Sequence, residues 1–394
     1  MPRGSESQSR EAGGRALLAL GFRPFYLLAG LLAALSIGLW TAQLSGWLRT
    51  AYLAGPMWHA HEMLFGYAFA VIVGFLFTAG RNWTGLPTPA GARLGGIVAL
   101  WLAARVLVLT PYALPAAAAD IAFALAAAWG IAVPLVKSGN RRNYFFVALL
   151  LALGAANLAF HLAMAGRVDL PVRLGLVVGL DLVLFAMAVM GGRVIPMFTQ
   201  SAIPAARPRR VPWVERIALG SVLALIATDA LGMEGGLPAG VLAGIAALAH
   251  GTRLALWQPW LTRRRPIVWI LHASYAWIVV HLALRALAAL SLVAPGIASH
   301  ALAVGAIGGL TLGMMTRTAR GHTGRPLQTG AIETLCYALV MCAAVARVAV
   351  PLIVPAATLA ATLAAGALWS LAFALFTATY WPILSRPRLD GKPG

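Results

Sequence analysis

Four residues, His59-Ala60-His61-Glu62, place two imidazoles and a carboxylate at the mouth of an apolar run from Met63 to Ala79. Ionisable groups at membrane depth are costly and by default mark a site. Neutral imidazole is the common protein ligand for copper and for haem iron. At about 100° per residue, His59 and His61 project about 200° apart on a helix, so they serve two separate sites rather than one metal. Glu62 follows His59 by three residues and shares its face, where a carboxylate can hold the second ring nitrogen. The bland reading of any single histidine here is an interfacial polar group.

The elements that must position these groups are membrane helices. The chain has 394 residues, of which 61% are hydrophobic and 10% charged, with a mean hydropathy of +0.83. Soluble domains carry about 25% charge. Twelve apolar runs can be read, at 25–47, 57–79, 94–110, 116–136, 144–165, 171–192, 215–232, 237–257, 267–292, 299–316, 329–350 and 355–381. The third contains Arg105 and the seventh Asp229, and both are short. The expected fold is all-α: a polytopic membrane protein with twelve transmembrane helices in one domain, residues 23–381. A flexible N-terminus, 1–22, precedes it and a short tail, 382–394, follows.

The net charge of +19 is distributed by topology rather than gathered in one patch, which argues against nucleic acid. Basic residues alternate between the gaps. One side has Arg3 and Arg10, then Arg81, Arg141, Arg209, Arg263, Arg320 and Arg388; the other has only Arg49, Arg167 and Arg173. Positive-inside asymmetry then predicts both termini in the cytoplasm and the His-x-His-Glu cluster at the outer end of its helix. No removable signal sequence is read. Cys336 and Cys342 lie in one apolar run, which argues against a disulfide framework.

With that topology, His59, His61, His161, His281 and His300 lie in the outer half of the membrane. His250 and His272 lie nearer the inner face, and His322 lies in an inner loop. Several helices of a bundle can share a metal site. Arg105, Arg285 and Arg347 fall within spans, where they can neutralise haem propionates or an anionic ligand; bridging between helices is the structural alternative. Arg285 follows His281 by four residues and shares its face, with Glu62, Asp120 or a cofactor carboxylate as the expected counter-charge.

Short internal matches point to three four-helix units, starting near 23, 142 and 265. Arg23-Pro24 and Arg265-Pro266 open two of the runs. Ala104-Arg105-Val106 matches Ala346-Arg347-Val348, and His161-Leu162-Ala163 matches His281-Leu282-Ala283.

FRPFYLLAG at the first run, WHAHEMLFGYAFAVIVGFLFTAGRNWTG, GGRVIPMFTQ and HALAVGAIGGLTLGMMTRTARGHTGRPL together resemble the NnrS family. The resemblance runs from about Gly21 to Trp381. It implies a bacterial inner-membrane protein that binds haem, taken as haem b, and copper, with a role in denitrification and resistance to nitric oxide. The expected metal ligands are His59, His61, His161, His281 and His300. The expected cofactor contacts are Arg105, Arg285 and Arg347, and Glu62 is the expected catalytic acid, with Asp181 as a second in-membrane acid for proton delivery. Nitric oxide, lipid and an electron donor such as a quinol or cytochrome are the partners implied. The alternative reading is a secondary transporter of a small anion or metal complex, a class in which twelve helices and internal repeats are common.

Overall fold

The computed structural model describes residues 16–50 and 52–391, so most of the expected flexible N-terminus lies outside the described residues. Twelve long helices follow one another, and no strand occurs among the described residues. They are α1 (Phe22–Leu44), α2 (Gly55–Thr84), α3 (Gly91–Leu107), α4 (Ala113–Lys137), α5 (Phe145–Met164) and α6 (Val172–Ala202). The second half has α7 (Pro212–Ala230), α8 (Gly236–Leu256), α9 (Pro266–Ala289), α10 (Pro295–His322), α11 (Ala331–Ile353) and α12 (Thr358–Leu384).

Ten of these are long and apolar enough to cross a membrane. The two others are α3, at 17 residues, and α7, which carries Glu215, Arg216 and Asp229. They are the two runs whose sequences were the weakest. Proline sets several starts, since its missing N–H falls where the first helical turn has no acceptor. Pro56, Pro212, Pro266 and Pro295 all stand in first turns. Gly85 ends α2 in the left-handed conformation at φ 68°, which a side chain would resist. Large apolar residues point outward along the helices, among them Leu35, Val106, Trp129, Leu248 and Leu359. Hydrocarbon is the solvent that suits such a surface, and helices satisfy their own backbone groups within it.

The chain divides into two compact units. Unit 1 comprises the described part of Met1–Gly179, with Arg317–Leu327 and Phe373–Gly394; unit 2 comprises Leu180–Thr316 and Gln328–Ala372. Their limits fall inside α6, α10 and α12 and do not follow the three four-helix segments suggested by the short sequence matches. In unit 1, α2 packs on α1 and α4, and α4 also packs on α3 and α5. In unit 2, α8 packs on α7 and α9, and α10 packs on α9 and α11.

Each unit contains one stretch of π-helix. In α2 it covers Glu62–Ala68, directly after His61. In α10 it covers Ala301–Gly308, directly after His300. A π-turn widens the helix by one residue and redirects nearby side chains, and such turns gather at functional sites.

Candidate metal centre

The π-turn of α2 opens a space that its own glycine keeps clear. A Cβ at Gly66 would lie 2.7 Å from Nη1 of Arg105 and 3.2 Å from Oε2 of Glu62. The guanidinium from α3 therefore enters where a side chain would otherwise stand. The Gly66 carbonyl accepts the indole N–H of Trp101 at 3.0 Å, and the Arg105 guanidinium lies 5.9 Å from the Trp101 ring centroid.

Arg105 joins two acids from different helices. Its Nη1 donates to Oε1 of Glu62 at 2.6 Å, and its Nη2 donates to Oδ1 of Asp120 on α4. The other carboxylate oxygen of Asp120, Oδ2, faces two imidazoles. Nε2 of His161, on α5, lies 3.0 Å from it, and Nε2 of His61 lies 3.4 Å away. Oδ1 of Asn157, one turn before His161 on α5, is 3.0 Å from Nε2 of His61. His61, Asp120 and His161 each offer one ligand atom, and these atoms lie within 4.8 Å of one another; all three residues are buried.

The remaining ring nitrogens are held by partners of their own. Nδ1 of His61 is 3.0 Å from Oε1 of Glu62, and Nδ1 of His161 is 2.8 Å from the Tyr52 hydroxyl. With Nδ1 engaged in both rings, both Nε2 atoms lie beside Asp120 Oδ2, that of His161 hydrogen-bonded to it and that of His61 hydrogen-bonded to Asn157. A partner at the other ring nitrogen is how protein histidines are oriented toward a metal. Phe160 and Phe65 lie against His61, with ring centroids 5.2 and 5.4 Å away, and exclude water.

The formal charge points the same way. Glu62 and Asp120 carry two negative charges and Arg105 one positive. With neutral imidazoles the cluster has one negative charge in excess, in a setting of low dielectric that disfavours it. One added positive charge between the two Nε2 atoms and Oδ2 balances the cluster. Two imidazoles and a carboxylate suit a transition metal such as copper, iron or zinc.

The structure thus brings together four of the expected residues, His61, His161, Glu62 and Arg105. His59 points elsewhere, as its spacing predicts, and stacks on Trp40 with centroids 4.9 Å apart. Two expectations need correction. Glu62 holds the ring of His61, its neighbour, and not that of His59. Arg105 and the His61 ring both engage the same oxygen, Oε1, of its carboxylate. The counter-charges of Arg285 are Asp181 and Asp229, both in unit 2, and not Glu62 or Asp120, which are occupied by Arg105. Arg105 and Arg285 are accordingly both engaged by protein carboxylates. Arg347, in unit 2, has no carboxylate partner among the described residues.

Asp120, Asn157 and Tyr52 complete the site and were not among the expected ligands. Asp120 stood in the sequence only as a candidate counter-charge. The lone polar Asn157 four residues before His161, in an otherwise apolar run, is the signal that would have found its helix face. Nothing in the sequence marks Tyr52, which reaches the site from the loop before α2.

His250, His272, His281 and His300 lie in unit 2, and His322 lies in unit 1 at the end of α10. His281 donates from Nδ1 to the Ala298 carbonyl at 2.8 Å, and its Nε2 is buried with no hydrogen-bond partner. A ring fixed at one nitrogen and bare at the other could ligate iron through the bare one. His300 donates from Nδ1 to the Gly296 carbonyl at 2.6 Å and lies within the field of Arg347. His250 is satisfied at both nitrogens, by the Tyr275 hydroxyl at 2.7 Å and the Ala218 carbonyl at 3.0 Å. It thereby bridges α8 to α9 and α7.

A family model described as NnrS protein matches residues 16–388. Comparison with curated proteins gives no match.

Proposed function

The chain belongs to the NnrS family, and from that premise we propose that it is a haem- and copper-containing protein of the bacterial inner membrane that handles nitric oxide, by binding or by reducing it. The observation that carries this reading is the convergence of His61 Nε2, His161 Nε2 and Asp120 Oδ2 within 4.8 Å, with both Nδ1 atoms already engaged. These three residues would hold copper, and Glu62 and Tyr52 would fix the imidazoles that ligate it. A singly charged copper ion leaves the cluster formally neutral.

The bare, buried Nε2 of His281 fits haem iron, and Arg347 is the arginine left to face a haem propionate. A haem of the b type supplies an iron that binds the gas. The apolar surround suits a small uncharged ligand that arrives through the lipid. Reduction would further require an electron donor, a quinol or a cytochrome, and a source of protons. Charge alternation supports both termini in the cytoplasm, and an alkaline phosphatase domain fused after Gly394 should then be inactive. A periplasmically active fusion would reverse that orientation.

The test is the absorption spectrum and metal content of the purified protein. A Soret band and bound copper are expected. His61→Ala, His161→Ala and Asp120→Asn should lose copper and keep haem, His281→Ala should lose the Soret band, and His322→Ala should keep both. Colourless, copper-free protein that moves an anion across vesicles would replace this reading with the transporter one.

A further inference from the structure

Unit 2 holds a second buried charge cluster, which the proposed metal centre does not use. Asp181 comes from α6, Asp229 from the last turn of α7 and Arg285 from α9. Nη1 of Arg285 donates to both oxygens of Asp181, at 2.9 and 3.1 Å. Nη2 donates to the carboxylate of Asp229. The side chains of Asp181 and Asp229 are 2% and 0% exposed.

One guanidinium thus holds both buried carboxyl groups at once. Two carboxylates against one guanidinium leave one negative charge in a low-dielectric interior, and like charges sharing a site resist joint ionisation. One proton removes the excess.

Among the described residues the neighbouring groups supply no other cation for the pair. His281, one turn before Arg285, is turned to the Ala298 carbonyl. On α8, His250 is taken by Tyr275 and Ala218. Arg253 is taken by Glu215, the Tyr275 hydroxyl and the Ala188 carbonyl. Arg347 on α11 acts on His300.

We propose that Asp181 and Asp229 share a single proton and form a proton-exchange site in unit 2. Binding converts one carboxylate to a carboxylic acid, and release leaves both carboxylates on the same guanidinium. Arg285 holds the two carboxyls in place in either state, so exchange needs no rearrangement of α6, α7 or α9. The ligand is the proton itself, and the inference stands on this cluster whether or not metal binds in unit 1.

Infrared spectroscopy of the purified full-length protein tests it. Spectra with and without 13C-labelled aspartate, in H2O and D2O, should show a carboxylic-acid C=O stretch that shifts with both isotopes. Asp181→Asn and Asp229→Asn should each abolish the band, because Arg285 then matches a single carboxylate. Asp181→Glu and Asp120→Asn should retain it. The band should disappear as pH rises, along a one-proton curve unaffected by sodium or potassium. Its absence from folded wild-type protein, or its survival in both asparagine variants, would overturn the proposal. Loss of the band on adding sodium at constant pH would overturn it as well and assign the site to a metal cation. The isotope shifts in the wild-type protein read the proton even where a variant fails to fold.

Discussion

Units 1 and 2 are built around the same charge motif and complete it differently. In unit 1 Arg105 lies between Glu62 and Asp120. In unit 2 Arg285 lies between Asp181 and Asp229. Each cluster has two acids to one guanidinium, and each therefore has one negative charge too many for its surroundings. In unit 1 two imidazoles touch the acids, and their Nε2 atoms turn the excess charge into a seat for a cation. In unit 2 no imidazole touches the acids among the described residues, and Arg285 is the group they share. The comparison teaches that charge count alone does not define a metal site. Neutral donors aimed at the excess charge do.

The largest effect that would sharpen this contrast is expected from Arg285→Leu. It leaves two buried acids with no base in contact, and breaking a buried pair typically costs about 3–5 kcal/mol. Arg105→Leu leaves its two acids beside His61 and His161, which can accept protons, so its loss of stability should be the smaller. Thermal unfolding of both variants in detergent decides the order, and equal losses would break the comparison.

Next in size are variants of the groups that orient the imidazoles. Glu62→Gln and Tyr52→Phe should weaken metal binding about 10–100-fold, the usual range for partners of ligating histidines. Competition titration with a chelator measures this, and unchanged affinity in both would remove the metal from unit 1. The matching change in unit 2, Asp229→Asn, should leave that affinity unaltered.

Gly66→Ala should cost about 1–3 kcal/mol, the range for overpacking, because its Cβ would lie 2.7 Å from Nη1 of Arg105. Gly85→Ala meets no neighbour within 4 Å and is strained through its backbone only, so metal affinity should fall in the first variant and hold in the second. The smallest effect is expected from His59→Ala. It removes the stacking on Trp40, worth about 0.5–1.5 kcal/mol, and should leave metal content at the wild-type level by elemental analysis.

Hydropathy and charge alternation were sufficient for the all-helical membrane fold and the number of long helices, because a backbone in hydrocarbon has few alternatives to a helix. The two weakest runs were weak for a reason that the structure supplies: α3 carries Arg105 and α7 carries Asp229, each a member of a buried charge cluster. Helical spacing also separated His59 from His61, since two residues apart on a helix means nearly opposite faces.

Partnership across helices was a matter for the tertiary structure. Asp120 and Asp229 read alike in sequence, as single acids in apolar runs, yet one faces two histidines and the other shares an arginine with a second aspartate. Glu62 bonds His61 and not His59, because its carboxylate is held by Arg105 from α3, a partner that helical spacing cannot show. Local pattern determined which residues fall on which helix. Which of them meet depends on helix packing, which an apolar sequence does not announce.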